Sequence, residues 1–348
     1  MRGLCIGDDR ASQGVNQVRI GEIIRATEWW EYKLLPILSV FYATLAYRQS
    51  SIAAAWPMAV ELLIAIAPGA VYVSVINDLT DRDEDGRAGK PNRTEGRSRA
   101  MIGLLIGIPI LIGIAMAWRW HGDPLLLAAY GGAWCAFTAY SLPPLRLKTR
   151  GLFGVMADAS GAHLFPALVA TLLAFRGSGT APDLVWVGLV AIWAVTFGVR
   201  GILWHQLSDE EADRIANVRT FVQRHGGRWA RAIGSYVTFP LECAALLVML
   251  WVLDDRIPFV ALVLYASLVI AKLERFQMHA AIVQPRPRQL ILLNGYYEVF
   301  LPVSLLVASA LAHPADWIVL AAHCILFPGR LSQVISDVRK LLPRRPHP

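Results

Sequence analysis

The sequence predicts an all-α, polytopic membrane protein, a bundle of about nine transmembrane helices in two pseudo-repeated halves around a central cavity. Three observations predict it. Hydrophobic residues make up 55% of the 348 and charged residues only 17%, with a mean hydropathy of +0.46. The apolar residues gather in stretches of bilayer length, and the basic residues gather in alternate loops. A soluble helical protein with so many long apolar stretches would lack the polar sequence to coat itself.

Residues 1–30 read as a cytoplasmic or interfacial segment. They carry Asp8, Asp9, Arg10, Arg19, Glu22 and Arg25 and lack the continuous apolar core of a secretory signal. Val18 to Trp30 reads as an amphipathic helix on the membrane surface, with Trp29 and Trp30 at the interface. Residues 31–330 hold the spans, expected at 34–48, 56–77, 100–118, 124–142, 153–175, 184–204, 231–252, 257–274, 294–312 and 315–329. The first and last are short for a bilayer that asks about 20 residues of a helix, hence nine spans with a possible tenth. Residues 331–348 read as a basic cytoplasmic tail. Cys5, Cys135, Cys243 and Cys324 are scattered without a CxxC pair, which points to neither a disulfide framework nor zinc.

The net charge of +7 is distributed as topology rather than as a nucleic-acid surface. Arg82, Arg87, Lys90, Arg93, Arg97 and Arg99 follow the second span. Arg146, Lys148 and Arg150 follow the fourth, and Arg214, Arg219, Arg224 and Arg228 the sixth. Arg275, Arg286 and Arg288 follow the eighth, and the tail holds Arg339, Lys340, Arg344 and Arg345. The positive-inside rule then puts the N-terminus and the even-numbered exits in the cytoplasm. It also makes that face attractive to anionic lipid or substrate.

The second and sixth spans each run into an acidic cluster, an echo four helices apart. The first reads Asn77-Asp78-Leu79-Thr80-Asp81-Arg82-Asp83-Glu84-Asp85. On one helix, Asn77, Asp81 and Asp85 share a face and Asp78 lies on the same side. The second reads Asp209-Glu210-Glu211-Ala212-Asp213, with His205 one turn before Asp209. Carboxylates stacked at this spacing repel, and a hard divalent cation relieves them. Mg²⁺ takes one or two carboxylates and completes its shell with water and phosphate oxygens, so the pattern suits a diphosphate. In Tyr140-Ser141-Leu142-Pro143-Pro144-Leu145-Arg146-Leu147-Lys148, two prolines break the fourth span and Arg146 and Lys148 present two cations. Inside the spans lie Glu61, Asp158, His163, Arg200, Glu242 and Glu298. Pairing between helices and a role in acceptor binding or proton removal both fit these residues, with Asp158–His163 and Asn294–Glu298 as candidate pairs.

Together these residues resemble the UbiA superfamily of intramembrane prenyltransferases. Asn77 to Asp85 matches that family's NDxxDxxxD motif, Asp209 to Asp213 looks like its second motif, and Tyr140 to Lys148 is similar to its loop between the fourth and fifth helices. The resemblance spans residues 30 to 330. It implies a nine-helix bundle with a cytoplasmic polar cap and a cavity open sideways to lipid. It implies Mg²⁺ held by Asn77, Asp78, Asp81, Asp85, Asp209 and Asp213, with Asp78, Asp81, Asp209 and Asp213 essential to catalysis. Asn77, Arg146, Lys148 and Tyr140 would contact the diphosphate. Ala212 stands where the aromatic-acceptor branch often has Glu, which weakens a hydroxybenzoate or naphthoate as acceptor.

The implied reaction ionises an isoprenyl diphosphate and passes the prenyl group to a lipophilic or aromatic acceptor within membrane lipid. No nucleic-acid partner is expected. A terpene cyclase of the same architecture needs the same ionisation, with a double bond of the same chain as the attacking group. A transporter is the reading from a different class, since charges inside a membrane also mark ion pathways.

Overall fold

Several of the chain's helices begin where it supplies a cap or a proline. Ser98 accepts from the Met101 N–H at 3.2 Å, Asp123 from Leu126 at 3.1 Å, Asp183 from Val185 at 2.8 Å and Asp255 from Ile257 at 2.8 Å. The computed structural model describes residues 20–342. Asp8, Asp9, Arg10, Arg19, Cys5, Arg344 and Arg345 lie outside the described residues. The principal helices are α1 (Leu34–Tyr47), α2 (Trp56–Thr80), α3 (Arg82–Ala88), α4 (Arg99–Arg119), α5 (Pro124–Ser141), α6 (Leu152–Gly177) and α7 (Leu184–Ser208). They continue with α8 (Glu210–Ala216), α9 (Gly227–Val252), α10 (Arg256–Arg275), α11 (Tyr296–Ala312), α12 (Asp316–Leu326) and α13 (Pro328–Leu341). Between α10 and α11, β1 (His279–Ala281) and β2 (Gln289–Ile291) pair in parallel, His279 opposite Gln289.

By length and apolar composition, α2, α4, α6, α7, α9 and α10 are able to cross a membrane, and α12 with α13 would make a seventh if the bent pair were one span. The expected nine thus meets six or seven on that criterion among the described residues. α1 and α11 are apolar but shorter, and α5 has 18 residues. α1 is nonetheless central: every residue from Leu34 to Leu45 is buried, as expected of a helix apolar on all sides. By contrast α4 exposes Leu104, Ile108, Leu111, Ile114 and Trp118, a face suited to lipid.

Three helices share a local device. Ser160–Leu164, Gly234–Thr238 and Tyr296–Phe300 each form a π-turn, followed two residues later by Pro166, Pro240 and Pro302. Proline lacks an N–H and clashes with the carbonyl four residues back, and the wider turn makes room for it. α6 and α7 touch at Gly198, where an added Cβ would lie 2.9 Å from the Ala159 Cα.

The two ends of the chain differ from a simple surface helix and tail. Before α1 there are two short helices, Ile20–Ile23 and Ala26–Trp29, broken by Arg25 at φ 56°. The expected tail is helical to Leu341, and α13 leaves α12 at an angle of 84°.

Candidate functional site

The two acidic clusters fold as copies of one motif. The 25-residue α2 ends at Asp81 (φ −101°, ψ 2°) and restarts as the seven-residue α3. The 25-residue α7 ends at Asp209 (φ −96°, ψ 6°) and restarts as the seven-residue α8. The Asp81 N–H donates to Asn77 at 2.9 Å and Asp85 to Asp81 at 2.8 Å, while Asp209 donates to His205 at 2.9 Å and Asp213 to Asp209 at 2.8 Å. Gly89 (φ 68°) and Asn217 (φ 58°) close the two short helices in the left-handed conformation that both residue types tolerate. Asn77, Asp81 and Asp85 therefore correspond to His205, Asp209 and Asp213, and α3 packs against α8. The single straight helix expected for the first cluster is bent at Asp81. There the Thr80 carbonyl accepts from the Arg146 guanidinium at 2.9 Å.

Both copies open onto one cavity of about 1210 Å³, lined by Asn77, Asp78, Asp81, Asp85, Tyr140, Lys148, Asp209 and Asp213. Cations from distant parts of the chain meet these carboxylates. Lys148 Nζ binds Asp81 and lies 2.6 Å from Glu84. Arg146 lies 3.0 Å from Glu84 and 3.4 Å from Asp81, outside the cavity lining, where it secures the end of α2. Lys90 crosses from the first cluster to the second and lies 3.2 Å from Asp209. Asp78, 6% exposed, has Arg93 at 3.7 Å and Arg25 at 3.9 Å. Asn92 Nδ2 donates to the Asp78 carbonyl at 2.6 Å and to Asp85 at 2.8 Å, folding the 82–94 loop back over the site. Asp213 accepts from Thr220 at 3.2 Å. Burial, and then the neighbouring Asp209 charge, raise the Asp213 carboxyl to about 6.

Among the described residues no three His, Cys, Asp or Glu side chains converge as a metal cage. The donor set instead fits a hard cation shared with phosphate oxygens. It is made of carboxylates and one amide, and Asp78 Oδ2 is buried without a hydrogen-bond donor. Asn77 Oδ1 accepts from Ser141 Oγ, which holds the amide in place.

Arg25, Lys33 and Glu84 also line the cavity and were not among the residues singled out from sequence. Glu84 sat between the fixed motif positions. Arg25 and Lys33 reach the site only because the N-terminal segment folds across it.

The polar groups inside the spans mostly pair between helices. Arg200 (1% exposed) binds Glu242 (0% exposed) through Nε at 2.6 Å and Nη2 at 2.9 Å. Tyr297 Oη donates to Glu242 at 3.0 Å, and Arg200 Nη2 to Asn294 Oδ1 at 3.2 Å. Glu61 accepts from Arg119 at 3.0 Å and Trp120 at 2.8 Å. Asp158 and His163 both line the cavity but form no mutual hydrogen bond; the His163 ring meets Phe197 edge-on at 4.8 Å. Asn294 and Glu298 likewise have other partners, Arg200 and Arg330.

A family model described as the UbiA prenyltransferase family matches residues 35–281. The chain is similar to a lycopene elongase/hydratase of Halobacterium salinarum, 28% identical over 201 residues, which are 57% of this chain and 68% of that protein. It is also similar to a homogentisate phytyltransferase of Synechocystis, 27% identical over 172 residues, 47% of this chain and 53% of the relative. The chain thus spans about half the length of the second relative and about two thirds of the first. Among solved structures, a UbiA homolog from Archaeoglobus fulgidus bound to DMAPP and Mg²⁺ superposes with a TM-score of 0.55 at 19% identity, over 86% of this chain and 98% of that one. The same homolog bound to GPP and Mg²⁺ gives 0.54 at 18% identity, over 86% and 99%. At these identities the likeness is one of fold.

Proposed function

Because the chain belongs to the UbiA prenyltransferase family, we propose that it ionises an isoprenyl diphosphate inside the membrane and passes the prenyl group to a lipophilic or aromatic acceptor, releasing pyrophosphate. The observation that carries this is the matched pair of acidic helix ends, facing one cavity whose deeper wall is aromatic. The relatives' names support it, since one describes a transfer and the other an elongation.

The chemistry follows from the site. The bond between the allylic carbon and oxygen breaks, the electron pair leaves with pyrophosphate, and the acceptor's electron pair closes the new bond, after which a proton is lost. The barrier is charge separation. Mg²⁺, held with the diphosphate by Asn77, Asp78, Asp81, Asp85, Asp209 and Asp213, would supply charge neutralisation at the leaving group. Lys148 and Lys90 already sit among these carboxylates and place positive charge where negative charge develops. Arg146 holds the end of α2, so its part is to orient Asp81 and Glu84. Tyr72, Tyr130, Trp134, Phe137 and Phe197 line the cavity with faces that accommodate an isoprenoid tail and a passing cation. The aspartate clusters and the N-terminal segment face the cytoplasm in this reading, as the basic loops require.

The test is pyrophosphate release by the protein in nanodiscs with dimethylallyl, geranyl, farnesyl and geranylgeranyl diphosphates, with and without Mg²⁺. Release that depends on Mg²⁺ and grows when a membrane lipid or aromatic extract is added is the expected result. No release with any of the four, with or without the extract, rejects the proposal.

A further inference from the structure

We propose that α13 is the cover of this cavity, and that two ion-pair latches on it decide whether the ionised isoprenyl chain meets its acceptor or water. The inference rests on the prenyl-transfer reading and concerns a part of the chain that reading does not use. A prenyl cation reacts with water as readily as with an acceptor, so the cavity has to be closed while the carbon–oxygen bond is broken. Such closure needs an element that covers the cavity without being part of its membrane-spanning wall.

α13 has that position. Arg330, Gln333, Val334 and Asp337 fall at i, i+3, i+4 and i+7, one helical face, and all four line the cavity. Ile335 and Val338 lie on another face and are 43% and 42% exposed, as on a helix resting on a bilayer surface. The helix is set at its angle by Phe327-Pro328. Proline cannot continue α12, and the freed Leu326 carbonyl accepts from Trp30 Nε1 at 3.0 Å.

Its attachments are polar and few. The Glu31 carboxylate caps the N-terminus of α13, accepting from the Gly329 N–H at 2.9 Å and the Arg330 N–H at 2.5 Å. A Cβ at Gly329 would lie 2.8 Å from Glu31 Oε2, so any larger residue there would displace this carboxylate from its cap. Arg330 pairs with the buried Glu298 of α11 and lies 4.9 Å over the Tyr32 ring. At the other end of the helix, Lys272 of α10 binds Asp337 at 2.5 Å. An element held by ion pairs and one cap, with little apolar burial of its own, is of the kind that opens locally before the bundle does.

The test uses the full chain in nanodiscs with geranylgeranyl diphosphate, Mg²⁺ and the membrane-lipid or aromatic extract that supplies the acceptor. Lys272→Asp and Asp337→Lys each break the outer latch; the double variant restores it with the charges exchanged. Two quantities are read: geranylgeraniol formed per pyrophosphate released, and labelling of Val334→Cys, a half-buried position on the cavity face, by a membrane-impermeant maleimide in a background without native cysteines. Each single variant is expected to raise both by at least about fivefold, as for a lid that opens more often, and the double variant to return both toward the parent. Parent-like values in both single variants, or a double variant no better than either, overturn the latch. Labelling that follows the latch while the parent releases no pyrophosphate under any condition overturns the prenyl-transfer reading instead. Arg330→Gln repeats the test at the inner latch.

Discussion

Asp78 is buried beside two arginines yet keeps one oxygen without a hydrogen-bond donor. That oxygen is free to accept from a metal ion or a donor outside the chain. Asp78→Ala is expected to lower turnover by at least about 100-fold, the scale of removing one preorganised electrostatic contact. Unfolding in detergent should be nearly unchanged, because removing a buried charge also removes its desolvation cost. Asp209→Ala, at the bend of the second copy that corresponds to Asp81, should lower turnover likewise. Steady-state pyrophosphate release checks both, and near-normal turnover in either rejects its place in the metal site. Lys148 has a different standing. Its Nζ is shared between Asp81 and Glu84, so its loss would leave two carboxylates facing each other as well as a weakened hold on the leaving group.

At the scale of elements, the bundle around the cavity is tied by a few buried links. Arg200 on α7 and Glu242 on α9 form a two-point ion pair that also draws in Asn294 and Tyr297 from the start of α11. Arg200→Met is expected to cost roughly 3–5 kcal/mol, because it strands a buried carboxylate, whereas Arg200→Met with Glu242→Met recovers most of the loss. Chaotrope unfolding in detergent reads the difference; equal losses in the single and double variants would refute the linkage. The α6–α7 contact makes a second demand. Gly198→Ala drives a methyl against the Ala159 backbone and is expected to cost about 1–3 kcal/mol. A parent-like midpoint would show that the two helices separate freely.

For the molecule as a whole, the basic loops and the position of the site make one joint claim. A reporter fused after residue 90 is expected in the cytoplasm and one fused after residue 254 on the opposite side, as protease protection or a compartment-specific enzyme fusion would show. Exchange of the two would put the aspartate clusters on the wrong face for a cytoplasmic diphosphate. The matched ends of α2 and α7, each a long helix broken at an aspartate and restarted for seven residues, give the two-half arrangement a structural basis.

The sequence by itself determined the membrane class, several helix starts and both acidic motifs. Those rest on local physics: apolar runs of bilayer length, a capping side chain two or three residues from the N–H it serves, and carboxylates one turn apart. Tertiary structure alone decided which charges meet. Lys90 with Asp209, Lys148 with Glu84, Arg25 with Asp78 and Arg200 with Glu242 join residues on separate segments. No period or spacing encodes such pairs. The candidate pairs read from spacing, Asp158 with His163 and Asn294 with Glu298, found other surroundings because neighbouring helices offered Phe197, Arg200 and Arg330. The C-terminal segment shows the same division. Its basic residues and Pro328 are plain in the sequence, but its place over the cavity depends on Glu31, Lys272 and Glu298, which only the folded bundle brings to it.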